Sequence, residues 1–472
     1  MFPILFNQPT ANNDVYHQLL ATETIIESFD FSSVNPYPIG ISIIASFLIM
    51  LNIDPILFFH IMSPIILVVI FILLVNALKP TGIYESMFLS YNFCVNLYFL
   101  KSFNQFNAEI VSFLFMSILI FYILTNRKRI EELHLKHVMV VIVLSWINIM
   151  IRDAMVFFVI GCFLYLIFQQ YLVKKNMLFT FLLIPIALLP IITRIFDNNQ
   201  SEGLMTLLSN ENFNARLIVI LSSFSDFYKY LPEIILPKLE RFSSYNFFTL
   251  FISILVIIIA VYHFAIYITN YKSVKNKEMN ILLFFSIVGF TYLTGISIAS
   301  GLFNYEWISL YRVSGLSISF LSIPFWIVVL RKDRRKNLNF KLLIIIFFFL
   351  TQAKYLYAVK YENYYSTKRL LFEDHREINN NIIDETNLIS KTNQINVYVG
   401  GAWPGRNLYR ILQYNNYFYE QDSIIINPIW DFDANKNTII SKLDYINFEY
   451  QRDSLKIKTM LDGDFLFCSP NK

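Results

Sequence analysis

Only 15% of the 472 residues carry a charged side chain, against about 25% in soluble globular proteins. That shortage excludes an ordinary soluble domain. Cysteine is scarcer: Cys94, Cys162 and Cys468 are the three present. They lie far apart, two inside apolar runs, which excludes a disulfide framework and a metal-knuckle spacing. The net charge of +4 is small and spread over many loops, giving no support to nucleic-acid binding. With 12 glycines the chain is poor in the breaks that transporter helices carry, and no internal repeat is visible.

Apolar length is what the chain has. Hydrophobic residues reach 56% and aromatics 17%, with 47 Phe and 29 Tyr, and the mean hydropathy is +0.51. A run of about 20 apolar residues crosses a bilayer as a helix. Such runs are read at 54–78, 83–100, 108–126, 138–151, 154–172, 177–195, 245–270, 280–301, 307–330 and 342–359. Arg152-Asp153 interrupts one long stretch, and two charges at the bilayer centre would be costly, so they are assigned to a turn between helices. The expected fold is mostly α: a polytopic membrane protein in the plasma (inner) membrane.

Orientation follows from the basic residues of short loops. They fall at Lys79, at Arg127-Lys128-Arg129 with Lys136, at Lys174-Lys175, at Lys272, Lys275 and Lys277, and at Arg331-Lys332 with Arg334-Arg335-Lys336. Two spans separate each group from the next, so all share one side, read as cytoplasmic. Residues 1–53, the turns near 101–107, 152–153 and 302–306, the loop 197–244 and the tail 360–472 then lie outside. Residues 41–53 are too short to span and Asp54-Pro55 stops them, so a missing first helix is the expected reason that residues 1–53 start outside.

The tail is read as a small extracytoplasmic α/β domain. Strands are expected at 395–399, 423–427 and 463–468, with helices at 406–413 and 436–443. Gly400-Gly401-Ala402-Trp403-Pro404-Gly405 follows the first strand, but its spacing fits neither phosphate-loop fingerprint; a tight turn is the plain reading.

The segment 12–20 carries Asp14, Tyr16 and His17, followed by Pro36-Tyr37-Pro38-Ile39-Gly40 and a short apolar helix. From the residues alone Asp14 is either a helix N-cap or, sharing a helical face with His17, a group that binds a cation or activates a hydroxyl. Glu109 opens the next span, and from the residues alone it reads as a first-turn carboxylate on a helix N-terminus. Arg152 either pairs with Asp153 or contacts a lipid phosphate. Arg312 either snorkels to the interface or binds phosphate bidentately.

This order of an acidic residue, an amphipathic helix with Tyr and His, a Tyr-Pro-x-Gly turn, a short apolar helix and a span resembles the first external loop of GT-C superfamily glycosyltransferases. Protein O-mannosyltransferases and the lipid A aminoarabinose transferases belong there. Ile39 stands where the pattern often has a second Pro. The resemblance implies a GT-C-like helical bundle over residues 12–330. It implies that Asp14 is catalytic, with Glu109 a second acidic residue, and that Tyr16, His17, Arg152 and Arg312 bind substrate. Arg312 precedes Pro324 in an apolar helix, as the pattern has it. A divalent cation, if one takes part, would be held by Asp14 and Glu109. The loop 197–244, with Arg216, Lys229, Lys238 and Arg241, would close over the donor phosphate.

The implied function is inverting transfer of a sugar from a polyprenyl-phosphate donor to an acceptor hydroxyl on a glycan, lipid or protein outside the membrane. Two alternatives stand beside it. A lipid-linked oligosaccharide polymerase or ligase places its key residues in a large late external loop, which is short here. A transporter needs inverted repeats and broken spans. His60, His134, His137 and His263 are read as structural, and His375 is given no role.

Overall fold

Helices begin and end where the sequence changes character. The computed structural model describes residues 40–96, 108–132, 134–172, 177–197, 277–303, 310–331, 394–400, 425–433, 435–445, 455–460 and 465–470, with single positions 22, 25, 26, 218, 258, 408, 409, 412 and 448. The expected spans at 245–270 and 342–359 and the loop 197–244 lie outside the described residues, apart from Asp197, Ile218 and Ile258.

A short turn separates helix α1 (Gly40–Met50) from α2 (Pro55–Leu78). Asn52 takes a left-handed φ of 58°, a conformation Asn tolerates. Its amide donates to Ile49 O at 2.8 Å, and Ile53 N donates to Leu48 O at 2.9 Å, closing α1. Pro55 then opens α2, where a missing N–H costs nothing. A 3-10 turn (Lys79–Thr81) leads to α3 (Ile83–Asn96) through Gly82, whose φ of +119° suits only glycine.

The long helix α4 (Ala108–Glu131) loses regular geometry at Asn126 and carries Lys128 and Arg129 in its last turn. Helices α5 (Leu135–Ile151) and α6 (Met155–Leu172) follow, separated at Arg152-Asp153 as the charges required. The expected span 177–195 is instead two short helices, α7 (Leu178–Ala187) and α8 (Leu189–Asp197), broken at Leu188. Proline explains the break. Pro190 has no N–H to return to Ile186 O, and that carbonyl accepts the Trp146 indole N–H at 2.7 Å instead. Helices α9 (Lys277–Phe303) and α10 (Leu310–Arg331) follow further along the chain.

Packing among these helices centres on α9, which lies against α6 and α10, while α10 lies against α3 and α4 against α5. Small residues set the approach of α9. A Cβ on Gly161 would stand 2.9 Å from Val288 Cα, and one on Gly289 would stand 2.8 Å from the Leu321 side chain. Rings fill the middle. Phe320 of α10 meets Phe93 of α3 at 5.5 Å, stacks on Phe158 of α6 at 5.7 Å and meets Phe285 of α9 at 6.1 Å.

Polar pins join helices inside. Gln169 on α6 donates to Asn280 on α9 at 3.3 Å, and Thr180 on α7 donates to Gln170 on α6 at 2.7 Å. The serine hydroxyls of Ser46, Ser145 and Ser322 fold back onto carbonyls of their own helices. Meanwhile Ile61, Ile65, Val68, Val69 and Ile72 of α2 lie exposed. The interior is mainly apolar with scattered hydroxyls, and branched aliphatics also stand on the exterior of α2, an exposure that is compatible with a membrane environment. Among the described residues three stretches are long and apolar enough to cross a membrane: Ile61–Thr81, Ile110–Ile130 and Glu278–Ile298.

The chain divides into two units: residues Ile65–Ser102 with Ala108–Leu356, and residues Met1–Pro64, Phe103–Asn107 and Tyr357–Lys472. The second holds a five-stranded sheet of β1 (Gln394–Tyr398), β2 (Ile425–Ile429), β3 (Thr438–Ser441), β4 (Leu455–Met460) and β5 (Phe465–Pro470), in the order β2-β1-β3-β5-β4. Strands β2, β1 and β3 run parallel; β5 is antiparallel to β3 and to β4. Tyr398, Ile440, Leu455, Leu466 and Cys468 form its core.

The expected helix 436–443 is largely strand here. Thr438, Ile439 and Ile440 are β-branched and buried; all three pair with β5, Thr438 and Ile439 pair also with β1, and only the short α11 (Lys442–Tyr445) after them is helical. Strand β4 is an addition, and its alternation Leu455, Lys456, Ile457, Lys458 carries the period-two signal.

Candidate functional site at one end of the helical unit

Glu109, Arg152 and Arg312 belong to three different stretches of chain, and helix direction decides whether they share an end. Phe157 lies against Gly295, Gly161 against Val288, and Gln169 against Asn280, so α6 and α9 run antiparallel. The start of α6 therefore sits at the end where α9 finishes, and α10 begins there after a short connection. Helices α4 and α5 also run antiparallel: Tyr122 meets His137 beside the turn that joins them. The start of α4 thus faces the same way as the finish of α5. Glu109 is the second residue of α4, Arg152 caps α5, and Arg312 is the third residue of α10. All three backbone positions therefore lie at the same end of the helical unit.

The arginine turn is built by hydrogen bonds. Arg152 has extended backbone (φ −152°, ψ 117°), and its amide donates to Asn148 O at 3.0 Å. Met155 N donates to Arg152 O at 3.0 Å and Val156 N to Asp153 O at 2.9 Å, which starts α6 at once. Arg152 and Asp153 are both half-buried. Asn148, one turn earlier, is fully buried; its amide N–H donates to Leu144 O at 2.8 Å, while its Oδ1 has no hydrogen-bond partner among the described residues. Ser112 of α4, one turn inside Glu109, is likewise buried with no partner for its Oγ among the described residues.

These two polar residues were not singled out from sequence. A lone amide in an apolar run, one turn before a charged break, is the signal that points to Asn148. Chemically, the end combines arginine, which binds oxyanions through a rigid fork of donors, with buried oxygens that can accept hydrogen bonds.

Asp14, Tyr16 and His17 lie outside the described residues, as do Arg216, Lys229, Lys238 and Arg241 of the expected phosphate-covering loop and His263 and His375. Pro324 lies inside α10 beyond Arg312. At the opposite end of α4, His134 pairs with Glu132 at 3.2 Å, and the Tyr122 hydroxyl and His137 Nδ1 share a hydrogen bond of 2.7 Å. Among the described residues no group of three or more His, Cys, Asp or Glu side chains could hold a metal ion.

Beside the sheet, Gly400 lies two residues past the end of β1, and a Cβ there would lie 2.0 Å from the Trp430 carbonyl oxygen beyond β2. That contact requires glycine for packing, in keeping with a tight turn. No family model, curated protein or solved structure matches the chain.

Proposed function

We propose that this chain is a multi-pass membrane glycosyltransferase of the GT-C kind, moving a sugar from a polyprenyl-phosphate donor to an acceptor hydroxyl on the extracytoplasmic face. The observation that carries the reading is the gathering of Glu109, Arg152 and Arg312 at one end of a helical unit with an aliphatic exterior. The sequence resemblance around Asp14 supplies the chemistry.

Asp14 takes the acceptor proton as general base, and the freed oxygen attacks the anomeric carbon. The bond to phosphate breaks on the opposite face, its electron pair leaves with the lipid phosphate, and configuration inverts. Arg312 and Arg152 stabilise the charge that gathers on the phosphate oxygens. The Asn148 backbone carbonyl, which accepts the Arg152 amide, helps hold that turn in place.

The test uses membranes from cells making the full chain, a radiolabelled polyprenyl-phosphate sugar and Asp14→Asn. Transfer is expected to vanish while the variant accumulates in the alkali-resistant membrane fraction like the wild type. Full transfer by Asp14→Asn sinks the assignment. Release of the wild type by alkaline carbonate sinks the membrane reading itself.

A further inference from the structure

At the other end of α4, basic side chains crowd a single turn. Arg127, Lys128 and Arg129 close α4; His134, Lys136 and His137 follow on the far side of the turn or open α5. Lys128, Arg129 and Lys136 are exposed. Glu132 is engaged by His134 at 3.2 Å. The Tyr122–His137 hydrogen bond of 2.7 Å ties the two helices together, so the cations are held by a fixed turn. Arg129, His134 and Lys136 all lie within electrostatic range of His137.

From this turn an apolar stripe runs down α5. Leu135, Met139 and Val143, spaced four apart on one helical face, are 72%, 51% and 45% exposed. Charge at the head and aliphatic side chains below match an amphiphile with a phosphate head. They do not match a free anion, which has no use for the stripe. The α2–α3 turn, by contrast, offers Lys79 followed by Pro80.

We infer that the α4–α5 turn binds the phosphate headgroup of an anionic phospholipid, with an acyl chain lying along Leu135, Met139 and Val143. The inference rests on the reading that these helices cross a membrane. Arg129 and Lys136 bind the phosphate from either side of the turn, and the lipid fixes the hairpin against the bilayer surface.

The experiment titrates the detergent-purified full chain with phosphatidylglycerol, phosphatidylcholine or inorganic phosphate and follows thermal unfolding. Phosphatidylglycerol is expected to raise the midpoint, with phosphatidylcholine and phosphate without effect. The double variant R129Q/K136Q is expected to weaken the apparent affinity about 30-fold, taking roughly fivefold for each cation near an anionic surface. R129K/K136R is expected to bind like the wild type, which separates lost charge from lost fold, and K79Q is expected to bind unchanged.

Equal response to both lipids, an undiminished response of R129Q/K136Q, or the same shift from inorganic phosphate overturns the inference. Carbonate extraction of native membranes decides separately whether the helices are embedded at all, so failure of that reading is told apart from failure of the lipid site.

Discussion

Gly161 of α6 brings its backbone so close to Val288 of α9 that a methyl group on Gly161 would lie 2.9 Å from the Val288 Cα. The obstacle is backbone, which cannot swing aside as a side chain can. Close backbone approach through small residues is how helices associate where lipid removes the hydrophobic driving force.

Gly161→Ala is therefore expected to push α6 off α9 and destabilise the protein by about 1–3 kcal/mol, the usual cost of overpacking. A thermal melt of the detergent-solubilised protein measures it. An unchanged midpoint would show that the pair separates freely.

The Thr180–Gln170 bond of 2.7 Å pins α7 to α6 between two buried residues. Thr180→Val and Gln170→Leu, singly and together, form a double-mutant cycle with an expected coupling of about 0.6–1.7 kcal/mol in lipid. Additive losses in the melts would mean that the two side chains act independently.

Cys468 sits in the core of the sheet, and burial pushes its thiol up to about 12. The thiolate is the reactive form, so maleimide at pH 7.5 is expected to leave Cys468 unmodified in the native protein and to modify it after denaturation. Peptide mass spectrometry reads both states. Rapid native modification would place the thiol outside the core.

Asp433 accepts the Asn435 amide at 3.0 Å and lies 3.5 Å from Lys436 Nζ. The backbone hydrogen bond, followed by the charge of Lys436, holds its carboxyl below the ordinary value. A lowered carboxylate pKa stabilises the fold fully above the ordinary value and loses that contribution as pH falls through the lowered one. Hydrogen exchange at Asn435, taken relative to the intrinsic rate at each pH, is expected to quicken across that acidic window in the wild type. In Asp433→Asn it is expected to be faster already at neutral pH and to lack that added acid step, and matching profiles would deny Asp433 the role.

The helices were legible because their cause is local. Long apolar stretches bounded by Asp54-Pro55, Arg127-Lys128-Arg129 and Arg152-Asp153 specify where a helix runs and where it stops, and the structure ends its helices beside those marks. The short α11 and the strand before it were not legible. Residues 436–443 satisfy a helical pattern, yet β1 and β5 offer Thr438 and Ile439 ladder partners on both sides and β5 pairs Ile440 as well, and neither strand is near in sequence.

The same division holds for the candidate site. Sequence by itself determined the composition, the apolar lengths and the charged breaks, because these depend on each residue's affinity for water. Only the tertiary structure decided that α6 and α9 run antiparallel, that the starts of α4 and α10 lie at the same end as the finish of α5, and that Asn148 is buried. The α6–α9 arrangement comes from contacts between residues more than a hundred positions apart, such as Gly161 with Val288, and packing of that range leaves no mark in any single stretch of chain.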